Sequence, residues 1–279
     1  MTWRQSMRRL FRRPLAVVGL VLVLVMLLIA IFAPLLAPHD PTKADFTAIL
    51  QGPSAQYPLG TDEVGRDLLS RLIFGARASL QAGLIAVLIA VAIGVPIGLF
   101  SGYMRGWIDQ LVIMRLTDAM IAFPTIVLAL ALSAALGGGL PAAMLAIGIG
   151  AAPAFIRLAR AQALSLREQE FVEASRALGT RNLKIMFTHV IPNMLGPLLV
   201  QTSIAIAAAI LAETALSFLG LGVQPPTPSW GSILRIGTGF MQDAPWLSLY
   251  PGIAIFLTVL GINLLGDGLR DALDPKDGN

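Results

Sequence analysis

Cysteine is absent from the 279 residues, and histidine occurs only at His39 and His189. The first absence excludes disulfides, thiolate chemistry and cysteine-held metal sites. The second means that a histidine metal site would need both rings, and the topology read below puts them on opposite sides of a membrane. Charge is scarce as well, at 13% of residues, which does not fit an ordinary soluble domain. No Gly-x-x-x-x-Gly-Lys-Ser/Thr occurs and no Gly is followed by Lys, so the chain cannot cradle a nucleotide in the P-loop manner. His-Glu-x-x-His is missing too, and no Ser and His are expected to meet within one leaflet. With the acid–base and metal sets lacking, an enzyme in its own right, including a membrane-embedded hydrolase, has no support.

What is present is apolar: 56% of residues are hydrophobic and mean hydropathy is +0.77, which indicates a polytopic, all-α membrane protein in a lipid bilayer. The chain divides into six spans, at residues 14–36, 78–104, 111–136, 142–163, 194–218 and 247–266. A secretory signal is the alternative for the first, but the apolar run is too long and no small-x-small cleavage site follows. Between the spans lie a segment at 37–77, a polar island at 165–192 and a loop at 219–246, with termini at 1–13 and 267–279. Fifteen of the 20 Lys and Arg fall on the side of the two termini and the island, and five on the other. That bias sets both termini and the island in the cytoplasm. It also explains the pI near 10 without nucleic acid, because the basic residues sit in short inter-span segments rather than in one patch.

The island is the most organised polar stretch. Ser165 and Glu168 have the spacing of a capping box and predict a helix from near Leu166 with Phe171, Ala174 and Leu178 on one face. Gly179 is placed to end it in the left-handed conformation. Thr180 then caps a second helix whose apolar face is Leu183, Met186, Phe187 and Val190, and Pro192 stops it. Two short amphipathic helices at an angle form a knob that seats in another protein; the plain alternative is a connector.

Elsewhere, Gly94, Gly98 and Gly102 recur every four residues and let helices approach closely, as does the small-residue run at 148–152; packing within one subunit is preferred to a dimer interface. Two carboxyls fall inside spans, Asp118 and Glu213. They either face a polar cavity that passes a solute or sit at an interface or against a neighbouring helix. Residues 67–74 are amphipathic and are expected to lie along the outer membrane surface. Gly60-Thr61-Asp62 reads as a turn and helix cap. The absence of an internal repeat weakens an inverted-repeat secondary transporter, although a stand-alone transporter or channel remains the competing class.

Three stretches carry a family resemblance. Glu173-Ala174-Ser175, with Gly179 following and Ile191-Pro192 at the end, resembles the EAA loop of ABC importer membrane subunits, with Ser175 in place of the second Ala and His189 in place of an aliphatic residue. Residues 58–67 (PLGTDEVGRD) and 213–222 (ETALSFLGLG), with Trp230-Gly231 after them, resemble signatures of the C-type permease of the dipeptide, oligopeptide and nickel transporter family. The resemblance implies a type I importer permease with its core over 78–271, in the bacterial cytoplasmic (inner) membrane. It implies a heterodimer with a B-type permease, an extracytoplasmic substrate-binding protein, and two cytoplasmic ATPase subunits that bind the ATP and Mg, this chain holding no cofactor and no metal. In that family the island is the coupling helix, which carries the role to Glu173, Ala174, Ser175, Ala177, Leu178, Gly179, Thr180, Met186, Phe187, Ile191 and Pro192. Peptides lead as substrate, with nickel chelates, glutathione and other small solutes as alternatives.

Overall fold

The computed structural model describes residues 9–273; the first eight residues of the basic N-terminus, including Arg4 and Arg8, and the end of the tail with Lys276 lie outside them. Among the described residues the fold is helical, with one isolated bridge between Thr61 and Asp67. Five helices are long and apolar enough to cross a membrane, and a sixth crossing is made if a bent pair counts as one.

Helix α1 (Pro14–Ile31) and the single turn α2 (Ala33–Leu36) make the first span. Helix α3 (Leu68–Met104) follows as one 37-residue rod. The amphipathic stretch at 67–74 is therefore not a separate helix on the membrane surface but the first turns of the second span. Asp67, not Gly60-Thr61-Asp62, caps it, accepting a bond from the Ser70 N–H at 3.0 Å. At 1.5 Å per residue the rod is about 55 Å long, longer than a bilayer core, so its first turns stand clear of the hydrocarbon.

The expected third span at 111–136 is broken. A π turn (Asp109–Ile113) runs into α4 (Met114–Ala122), and α5 (Thr125–Ala135) leaves at 97°. The cause is Phe123-Pro124: the residue before a proline is pushed out of the helical region, and Phe123 is extended at φ −85°, ψ 136°. Helix α6 (Gly139–Leu166) is longer at both ends than expected. It pairs with α3 along a seam where backbone meets backbone. A Cβ on Gly94 would lie 2.8 Å from the Ala152 carbonyl, on Gly98 2.3 Å from that of Ile156, and on Gly102 2.4 Å from that of Arg160. Gly148 faces the Ala86 carbonyl from the other side at 2.8 Å. The glycine stripe thus serves packing within the chain, as preferred. A second seam, unseen in the sequence, joins α1 to the last helix, α11 (Trp246–Leu273), where a Cβ on Gly19 would stand 2.7 Å from the Gly261 carbonyl.

Helix α7 (Glu170–Ala177) starts from Gln169, so the Ser165/Glu168 capping box does not form; Ser165 is still inside α6. Helix α8 (Asn182–Ile185), a π turn (Met186–Val190) and α9 (Ile191–Phe218) run on without interruption. Pro192 does not stop a helix but follows directly on the π turn, at the start of α9, where the register of the backbone bonds changes. Thr180 is not the cap of α8 either; Arg181 holds that position without a side-chain bond. Within the expected loop 219–246 lies α10 (Trp230–Gly239), begun by a capping box on Ser229 and Ser232. Trp230 anchors it, fully buried, with its indole N–H donating to the Leu72 carbonyl at 3.1 Å.

The motif at 58–67 folds into a knot over the start of α3. Asp62 accepts from the Arg66 Nε–H at 2.6 Å and pairs with Arg71 at 3.2 Å, all three side chains being buried. Glu63 takes the other side of the Arg66 guanidinium at 2.8 Å, and its carboxyl is held above the usual range mainly by burial and then by neighbouring Asp62. Removing Asp62 leaves buried Arg71 without a carboxylate partner and Arg66 with Glu63 alone. Asp62→Ala is expected to lower stability by about 3–5 kcal/mol, seen as a fall in thermal midpoint of the detergent-solubilised protein; an unchanged midpoint would count against a structural role.

Candidate functional site

The island forms a knob at the end of the bundle opposite the knot. Its foundation is an apolar cluster in which Leu99 and Tyr103 of α3 and Ala159 and Ala163 of α6 meet Val172, Ile185, Met186, Val190 and Met194. On this base α7 ends in a two-bond cap: the Gly179 N–H donates to the Arg176 carbonyl at 3.0 Å and the Thr180 N–H to that of Ser175 at 3.1 Å. Gly179 has φ +78°, the left-handed turn that the sequence predicts for it.

The two helices are then tied together by a pair that the sequence did not suggest. Ser175 Oγ and His189 Nε2 are 3.1 Å apart, and the His189 ring lies against Phe171 with centroids 6.1 Å apart. The expectation that no Ser and His meet is therefore wrong, and His189 gains a role as the clasp between α7 and the π turn. Spacing along one helix could not reveal a contact between two.

The expected apolar faces are redistributed. Met186 and Val190 point into the core, whereas Leu183 and Phe187 point outward, so the second helix has two apolar faces instead of one. On α7 it is Val172 that is buried. Phe171 and Leu178 are exposed, Leu178 by 86%. Glu173, Ala174, Ala177, Gly179 and Pro192 are exposed as well, with Ser175, Thr180 and Ile191 half-buried. Four large apolar side chains, Phe171, Leu178, Leu183 and Phe187, are thus left uncovered on a charged knob. Large apolar side chains exposed together on two short helices are candidates for an interaction surface.

Next to Ala159 at the knob's base, Arg160 ties α6 to Asp109 of the π turn before α4. Arg160 reaches across from α6 and donates two parallel bonds to Asp109, each 2.8 Å, while the Ser101 hydroxyl donates to the same carboxylate. Paired bonds of this kind fix direction as well as distance. Neither residue stands in a recognisable local pattern, and their partnership joins α6 to the π turn before α4, with Ser101 adding α3.

The two intramembrane carboxyls have different surroundings. Glu213 is completely buried and accepts from the Ser217 O–H at 2.6 Å, with the Ser79 and Ser229 hydroxyls beside it. Its hydrogen bond is therefore within α9, its other carboxylate oxygen has no hydrogen-bond partner, and of the readings given for it the position against neighbouring helices is the one its burial fits. It lies where α9 meets α3 and the start of α10, which gives this position of the ETALSFLGLG stretch a packing role. Asp118 pairs with Arg157 at 2.6 Å, both half-exposed. Arg157 also lines a cleft of about 530 Å³ between α4, α5, α6 and α9, together with Met120, Thr125, Gly150, Gln201 and Ile204. Among the described residues no group of three or more His, Asp or Glu could hold a metal ion.

Comparison with known proteins places these features in a wider set. Residues 94–276 match the family described as "Binding-protein-dependent transport system inner membrane component", and residues 2–53 match the N-terminal TM domain of oligopeptide transport permease C. The dipeptide transport system permease protein DppC of Alkalihalophilus pseudofirmus is 48% identical over 274 residues, covering 98% of this chain and 90% of that protein. The glutathione transport system permease protein GsiD of Escherichia coli is 44% identical over 275 residues, with the same coverages. Among solved structures, an inward-facing conformation of the MetNI methionine ABC transporter superposes with a TM-score of 0.60 at 20% identity, over 74% of this chain and 98% of that one. That likeness concerns the fold alone.

Proposed function

The chain belongs to the family of binding-protein-dependent transport system inner membrane components, and from that membership we propose that it passes dipeptides and short oligopeptides across the bacterial cytoplasmic membrane. It is a transmembrane permease subunit of an ABC importer, and ATP hydrolysis is done by separate ATPase subunits. The peptide reading rests on the relative named for dipeptides and on the oligopeptide permease C match at residues 2–53. The relative named for glutathione fits the same chemistry, since glutathione is itself a tripeptide.

The further parts of the assembly are read as follows. Both termini and the knob lie in the cytoplasm, as the distribution of Lys and Arg argues. The knob docks on one of two ATPase subunits or domains, which bind ATP and Mg, through Phe171, Leu178, Leu183 and Phe187. Around them Glu173, Ala174, Ser175, Ala177, Gly179, Thr180, Ile191 and Pro192 supply the rest of the surface, and Met186 supports it from beneath. A B-type permease completes the pathway and an extracytoplasmic binding protein delivers the solute. The single observation that carries the docking is the uncovered apolar surface on an otherwise charged knob.

Reconstitution tests the whole. Proteoliposomes holding both permeases, the ATPase subunits and the binding protein are expected to accumulate radiolabelled dialanine only with ATP, while this chain alone moves none. Uptake by the chain alone would make it a stand-alone transporter. The cleft beside Arg157 is read as part of the solute path, with Asp118 setting its charge. Asn keeps the size of Asp and its amide oxygen can still accept from Arg157, so the change removes the charge without removing the contact. Asp118→Asn is therefore expected to insert normally and to slow dialanine uptake several-fold; unaltered uptake would remove Asp118 from the path.

A further inference from the structure

A second cleft opens on the flank of the bundle away from Arg157. It has a volume of about 630 Å³ and is walled by α1, α3, α9 and α11. All four are candidate membrane spans, so the cleft opens within the bilayer. Its lining is aliphatic, with Leu27, Leu84, Leu199, Ile206, Ile262 and Leu265 among the residues that form it. The hydroxyls on the same walls are already engaged by their own helices: Thr202 donates to the Leu198 carbonyl at 2.7 Å, Ser203 to that of Val200 at 2.8 Å and Thr258 to that of Ala254 at 2.8 Å. The interior of the cleft therefore presents hydrocarbon.

One charged group lines it. Arg77 is exposed on α3, with Gln81 and Leu84 following on the same face of the helix. Among the described residues Arg77 has no ion-pair or hydrogen-bond partner. It is the last charge before the charge-free stretch of α3 at 78–104, which puts it where a span enters the headgroup layer. A guanidinium offers paired donors suited to phosphate oxygens.

We propose that this cleft holds an acyl chain of an anionic phospholipid whose phosphate sits against Arg77, in the leaflet on the knot side of the bundle. A transmembrane helix is a poorer occupant. Where helices do pack closely in this chain the contact is made through Gly94, Gly98 and Gly102 or Gly19 and Gly261, whereas the cleft is lined by long and branched side chains that keep a backbone away. A flexible chain of methylenes needs no such small residues and fills an irregular apolar groove. Gln81, one turn beyond Arg77, can bond the glycerol esters.

The assembled transporter, washed in detergent and supplied with dioleoylphosphatidylglycerol, dioleoylphosphatidylcholine or inorganic phosphate, provides the test by native mass spectrometry. One phosphatidylglycerol is expected to stay bound at this subunit, with at least tenfold less phosphatidylcholine. Arg77→Gln, a change to an exposed and unpaired residue, is expected to cut retention at least tenfold, and Leu84→Trp, which fills the cleft and leaves the arginine, is expected to do the same. Equal retention of the two lipids, or no loss in either variant, would overturn the proposal. So would displacement of the lipid by inorganic phosphate, which would assign Arg77 to free anions. The chain has no cysteine of its own, so a single Leu84→Cys can be crosslinked cleanly; a bond to the partner permease would seat a helix in the cleft and also overturn it.

Discussion

Gly179→Pro is expected to insert into the membrane as well as the unaltered protein and to lose transport and ATPase stimulation to background. The proline ring fixes φ near −65°, while Gly179 sits at +78°, and proline also lacks the N–H that donates to the Arg176 carbonyl. The cap of α7 then cannot form, and α7 and α8 lose the angle that brings Ser175 to His189. Nothing of this chain lies within 4 Å of where a Cβ on Gly179 would be, so the change clashes with no neighbour and the bundle below stands. Two milder substitutions separate conformation from contact. Gly179→Asn, whose side chain tolerates the left-handed region, is expected to retain most activity. Gly179→Ala strains the turn by about 1–2 kcal/mol, and any loss well beyond that locates the ATPase against this position. The measurement is ATPase rate and dialanine uptake at matched permease content. Full coupling in Gly179→Pro would remove the knob from the mechanism.

Gly98→Leu is expected to act at the opposite extreme, on folding. Its Cβ would stand 2.3 Å from the Ile156 carbonyl and 2.8 Å from the Ala159 Cβ, and both are part of a seam that cannot give way locally. Gly94 and Gly102 hold the same two helices together one turn to either side, so relief at Gly98 means parting α3 from α6 along three turns. Overpacking of a tight core costs about 1–3 kcal/mol, and a backbone contact repeated over three turns should exceed that range. The permease is expected to vanish from the membrane fraction, or to survive only as a protein with a thermal midpoint many degrees lower. Gly252→Leu on α11 is the control, because nothing lies within 4 Å of its Cβ. Similar loss from both variants would point to helix insertion rather than to the seam.

How far the fold could be read in advance differs by type of signal. Long apolar runs marked where long apolar helices form, because in hydrocarbon a single segment satisfies its own backbone only as a helix. Glycine spacing located the α3–α6 seam, and the fold supplied the partner. The errors occur where a local signal met a tertiary one. Ser165 and Glu168 have capping-box spacing, yet α6 simply continues through Ser165 because Ala159 and Ala163 are packed against the base of the knob. Pro192 looks like a terminator, yet the helix continues past it, and the π turn before it absorbs the change of register. Phe123-Pro124 carried a readable warning of the break in the third span, because a proline restrains the residue before it. The contacts that shape the candidate site, Ser175 with His189 and Asp109 with Arg160, join separate elements and leave no periodic trace. The exposure of Leu183 beside buried Met186 is likewise decided by what the second helix rests on.

The unbroken run from Asn182 to Phe218 has a mechanical consequence. It is 37 residues long, so it extends about 55 Å from the knob to the Ser217 hydroxyl that bonds Glu213 and the Val223 N–H. A tilt of about 5° imposed at one end of such a rod moves the other by about 5 Å, close to one helical turn. Leu183, exposed on the knob proposed to dock, and Ser217, which holds the start of the segment leading to α10, are then opposite ends of one lever. If the knob docks as proposed, a nucleotide-driven motion needs no relay from residue to residue, because one continuous helix spans the distance, with the π turn at Met186–Val190 and Pro197 as places where it can yield.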